Sequence, residues 1–62
     1  MIEPNKLYSP HAPELRPIAA RQTLAMWRYK GRGPAYVKAG HRVLYRGTDL
    51  LAWLEAQTVE TQ

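Results

Sequence analysis

The residues of this chain with an obvious capacity for chemistry are its cations. Arg16, Arg21, Arg28, Lys30, Arg32, Lys38, Arg42 and Arg46 succeed one another with no acid among them, whereas Asp49, Glu55 and Glu60 follow with no base. The net charge of +4 understates that segregation. A central basic block beside an acidic tail is the electrostatic footprint of a polyanion binder. Covalent catalysis has no comparable foothold. There is no carboxylate pair suited to acid–base work, no Ser-His-Asp or Cys-His set, and Gly31-x-Gly33 lacks the context of a phosphate loop. The histidines, His11 and His41, are too few for a metal site and cysteine is absent, so neither a metal nor a cofactor is expected. The chain reads as a binder rather than an enzyme.

Those cations need a scaffold, and the chain has 62 residues with which to build it. That length makes a single domain, one that buries only about 60% of its unfolded-state surface. Without disulfides the core must come from aromatics and aliphatics. No segment approaches the ~20 apolar residues of a membrane helix, and Glu3-Pro4 near the start is unlike a signal peptide; a cytoplasmic protein with no membrane partner is expected.

Taken in order, residues 1–8 read as an extended, frayed lead-in. Ser9-Pro10 is a helix start, with serine as cap and proline in the first turn, and Pro17 closes that helix at about residues 10–16. Pro17-Ile18-Ala19 turns the chain into a second helix from Ala20 or Arg21 to Lys30. Its stripe of Ala20, Leu24 and Trp27 faces inward, with Gln22, Ala25, Met26 and Tyr29 opposite. Gly31 ends it as a glycine C-cap. A hairpin follows, with strands over 35–39 and 42–46 turning at Gly40-His41. Alternation puts Tyr36, Lys38, Val43 and Tyr45 on one side, and Val37, Arg42, Leu44 and Arg46 on the other. Gly47-Thr48-Asp49 opens a last helix, with Thr48 as cap, fading near Gln57; residues 58–62 read as disordered. The predicted fold is α+β, a small winged helix-turn-helix ordered over about 7–57. Leu15, Ile18, Leu24, Trp27, Tyr36, Val43, Tyr45, Leu50, Trp53 and Leu54 form its expected core.

Four spaced segments carry a resemblance. Thr23-Leu24-x-x-Trp27-Arg28, then Gly31-Arg32-Gly33-Pro34-x-Tyr36-x-Lys38-x-Gly40, then Val43-x-Tyr45 and Asp49-Leu50-x-x-Trp53-Leu54 are similar to the MerR-like winged-helix excisionase and AlpA-type regulator superfamily, over about residues 15–57. The resemblance implies a small DNA-binding protein of a mobile genetic element. In one branch, recombination directionality factors bind and bend attachment-site DNA and steer a tyrosine integrase towards excision; in the other, regulators act at promoters. Two departures are visible. The first helix and the turn after it are compressed into Pro13-Glu14-Leu15-Arg16-Pro17-Ile18-Ala19-Ala20, and the positions between Leu24 and Trp27, often basic or polar in the family, are Ala25 and Met26.

On that footing the second helix enters the major groove N-terminus first with Arg21, Gln22 and Thr23 at the bases, where arginine can grip guanine and glutamine adenine. Arg28, Tyr29, Lys30 and Arg32 are assigned to phosphates. Lys38, His41, Arg42 and Arg46 on the wing are assigned to the backbone or an adjacent minor groove. Val37 and Leu44, apolar on the hairpin's outer side, are expected to touch a neighbouring protomer or an integrase as copies assemble side by side on DNA. The reading from another class is a protein-interaction adaptor using Val37, Leu44 and Met26. RNA binding is disfavoured, since no exposed aromatic sheet surface offers bases a stacking platform.

Overall fold

Proline spacing decides the first part of the chain. Pro10, Pro13 and Pro17 lack the amide protons an α-helix interior requires, and the computed structural model, which describes residues 1–59, has a single 3-10 turn there, Pro13–Leu15. The helix expected over 10–16 is therefore reduced to that turn. Ser9 does not cap it: Ser9 Oγ accepts from the His11 amide at 3.2 Å, closing a local turn. Leu15 still points inward and is buried.

Helix α1 spans Arg21–Lys30, as its periodicity predicts. Gly31 adopts φ 71° at its C-cap. The Arg32 amide then donates to the Trp27 carbonyl at 2.7 Å, which satisfies the helix end. The hairpin follows, with β2 over Val37–Ala39 and β3 over Arg42–Arg46. Their antiparallel register pairs Val37 with Leu44, Lys38 with Val43 and Ala39 with Arg42, leaving the Gly40-His41 loop with positive φ at glycine alone.

A third strand was not anticipated. Leu7–Tyr8 forms β1, antiparallel to β3, so the sheet order is β1-β3-β2. The segment read as frayed is pinned: the Gly47 amide donates to the Lys6 carbonyl at 2.8 Å, and the Glu3 amide to the Tyr8 hydroxyl at 2.7 Å. Glycine is required at 47, because the Glu3 carbonyl and Pro4 cross where a Cβ would stand. Helix α2, Gly47–Ala56, starts directly from β3 with Arg46 in the cap position and no side-chain cap, so Thr48 is not the cap. Strand β3 runs into the helix without a loop, and that continuity moves the start upstream of the threonine. Asp49 lies in the first turn as expected. Of the tail read as disordered, the Thr58 amide donates to the Glu55 carbonyl at 3.1 Å; the expectation for 60–62 falls outside the described residues.

The protein is thus α+β, with two helices and a three-stranded antiparallel sheet. Tyr8, Leu15, Leu24, Tyr45 and Leu50 form its buried centre, with Ile18, Trp27 and Val43 packed around them. Trp53 and Leu54 are half-buried, and the Trp53 ring tilts against Trp27 at 5.3 Å between centroids. Tyr36 departs from the expected core. It precedes the edge strand, is 42% exposed, and covers the rim of Tyr45 at 6.2 Å. Among the described residues no helix is long and apolar enough to cross a membrane.

Candidate nucleic-acid interface

The first turn of α1 carries neither a cap nor an acid. Ala20 holds the N-cap position with an extended ψ of 156° and no capping side chain, and no acid lies in the first turn. Amides at a helix start have no intrahelical acceptor and carry the positive end of the helix dipole. Arg21 and Gln22 are exposed there, and Thr23 is half-buried behind them.

The hairpin loop comes to the same place. A cleft of about 640 Å³ runs between the N-terminal half of α1 and the hairpin, with His11, Arg21, Gln22, Arg28, His41 and Arg42 among its lining residues and no acid. Ala25 and Val43 supply apolar wall. A second cleft of about 470 Å³ adjoins it on the far side of the helix start, with Arg16, His11, Arg21 and Gln22. His11 and His41, far apart in sequence, thus line one surface. His11 and Arg16 were not among the expected site residues. Arg16 belongs to the basic block, but nothing in local spacing places it or His11 beside Arg21, because the prolines that fold 9–17 back over the start of α1 read in sequence as an ordinary short helix.

The remaining expected residues fall into separate groups. Lys30 and Arg32 are exposed at the opposite end of α1, about 15 Å from Arg21 by helix rise. Tyr29 is 91% exposed on the outer side of α1, and Met26 beside it is 47% exposed. Lys38 is exposed on β2 opposite Val43. Arg28 is half-buried and donates to the Tyr45 hydroxyl at 2.7 Å. Arg46 lies at the far end of β3 from Arg42, opposite Leu7, and its Nη1 stands 3.5 Å from Asp49; the fold does not bring it to the cleft.

Val37 and Leu44 face each other across the hairpin on one side of the sheet, both half-buried. Leu7, 56% exposed, shares that side through its pairing with Arg46. Leu7, Val37 and Leu44 thus form a small, partly exposed apolar strip with Arg42 and Arg46 on the same side. Comparison of the chain with protein-family models, with curated proteins and with solved structures found no match.

Proposed function

We propose that this chain is a sequence-specific DNA-binding protein of the winged-helix excisionase kind. The observation that carries the reading is the acid-free cationic cleft between the first turn of α1 and the hairpin tip. The motif resemblance over residues 15–57 supports it independently. In this reading α1 is the recognition helix and enters the major groove by its N-terminal end. Arg21 and Gln22 read base edges, each bidentate pair giving about 1–3 kcal/mol of discrimination. Thr23, half-buried, supports that turn, and Ala25 and Met26 offer apolar contact to thymine methyls. The β2–β3 hairpin is the wing, with His41 and Arg42 set against the backbone or adjacent minor groove. Lys30, Arg32 and Lys38 neutralise flanking phosphates, and His11 and Arg16 extend the positive surface around the helix start.

The work such a protein does is binding plus DNA deformation. Copies bound side by side bend attachment-site DNA so that a tyrosine integrase can bridge it. The partly exposed strip of Val37, Leu44 and Leu7 supports a contact between protomers or with the integrase.

The test is selection of bound duplexes from a random library, followed by a salt titration on the winners. We expect a short repeated motif bound cooperatively. With five or six phosphate contacts, log affinity should fall against log salt with a slope of about −5. An isolated or palindromic motif would favour an AlpA-type promoter regulator using the same contacts. No enrichment, with binding that disappears at physiological salt, would overturn the DNA reading in favour of a protein-binding adaptor.

A further inference from the structure

Arg28 differs from the other cations of the basic block in what already holds it. Its Nη1 donates to the Tyr45 hydroxyl at 2.7 Å, and its guanidinium carbon lies 5.9 Å from the centroids of both the Tyr36 and the Tyr45 rings. Those rings stand 6.2 Å apart and are inclined by 59°. One planar cation is thus gripped by two aromatic rings and a hydroxyl, a geometry that suits the guanidinium fork and not the compact ammonium of lysine. Tyr45 is 1% exposed and sits in the middle strand. Among the described residues this is the one side-chain hydrogen bond from α1 to the sheet.

The contact joins the two walls of the cleft. Arg28 stands two helical turns beyond Arg21 on α1, and Tyr45 is three residues along β3 from Arg42. We propose that Arg28 is a positioning residue: it latches the helix to the hairpin and sets the separation at which Arg21 and Gln22 on one side, and His41 and Arg42 on the other, meet a duplex. It does not act as a phosphate ligand. The consequence for DNA rests on the reading of the cleft given above. Binding groups must be held to within about 0.5 Å of their productive geometry, and here the groups lie on two elements with a single polar tie between them.

The experiment uses the full-length chain and its Arg28→Lys, Arg28→Met, Tyr45→Phe and Arg28→Met/Tyr45→Phe variants. Affinity for a selected duplex, its salt dependence and the hydroxyl-radical footprint are measured on folded protein, and urea unfolding is followed without DNA. For a latch, Arg28→Lys and Tyr45→Phe each lose about tenfold in affinity, equal to 1.4 kcal/mol. The wing side of the footprint weakens while the helix side stays, the salt slope of Arg28→Met matches the wild type, and the double variant is no worse than Arg28→Met. For a phosphate ligand, Arg28→Met lowers the slope by about one, Arg28→Lys binds nearly as wild type, and Tyr45→Phe has no effect; that pattern overturns the proposal. Reduced stability with affinity and footprint intact overturns it too. If the wild type binds no duplex, the DNA reading falls. The latch is then decided by unfolding, where additive midpoint shifts for positions 28 and 45 refute it and non-additive shifts support it.

Discussion

Gly31 and Gly33 both have positive φ, 71° and 81°, yet a side chain would meet different surroundings at each. A Cβ at Gly31 would have no atom within 4 Å, whereas at Gly33 it would come to 2.7 Å from Trp27 Cε3. Gly31→Ala should therefore cost only the left-handed backbone term, roughly 1–2 kcal/mol. Gly33→Ala adds overpacking of about 1–3 kcal/mol, because the new Cβ would press on both the ring and the Cβ of Trp27. Urea unfolding of the two variants should show Gly33→Ala as clearly the less stable. In sequence Gly31 reads as a helix stop and Gly33-Pro34 as the turn into the hairpin. That Gly33 is also a packing site is not legible there, since the close approach to Trp27 arises only when the chain folds back on α1.

At the scale of the element, α1 starts in a way that serves ligands better than it serves the helix. Ala20 already has the extended backbone of an N-cap residue and lacks only the acceptor. Ala20→Asp should supply it and stabilise the protein by about 0.5–2 kcal/mol in thermal or urea unfolding. The same carboxylate would place a negative charge at the helix start between the two clefts, so DNA affinity should fall as stability rises. Affinity that rose with stability would remove the helix start from the binding surface. The boundaries of α1 were readable because its stripe of apolar residues and its glycine stop are local signals. The segment before it does not form the expected helix: Pro10, Pro13 and Pro17 withhold the amide protons its interior would need, and a single 3-10 turn remains.

For the whole molecule, the cationic cleft and the apolar strip of the sheet occupy different places. The cleft lies at the helix start and hairpin tip, and the partly exposed strip of Leu7, Val37 and Leu44 lies on one side of the sheet. A variant on that strip should separate assembly from DNA contact. Leu44→Glu should abolish cooperative binding to a duplex carrying repeated sites, while affinity for a single site changes little. Gel-shift titrations on one-site and multi-site duplexes would show it. Unchanged cooperativity would free this face from any role in assembly.

Signals that act over a few residues are legible along the chain. These are the amphipathic α1, the glycine stop at 31, the two-residue loop at Gly40-His41 with its register, and the separation of bases from acids along the chain. Features that depend on residues distant in the chain come from the packed fold. It recruited Leu7–Tyr8 as a third strand, because the N-terminal backbone finds its partners in β3 and Gly47. It brought His11 beside His41 and Arg21, withdrew Arg46 to the far end of the sheet, and tied Arg28 to Tyr45. Hydrophobic periodicity and turn chemistry are encoded in neighbouring residues, whereas the company a side chain keeps across the core depends on how whole elements pack.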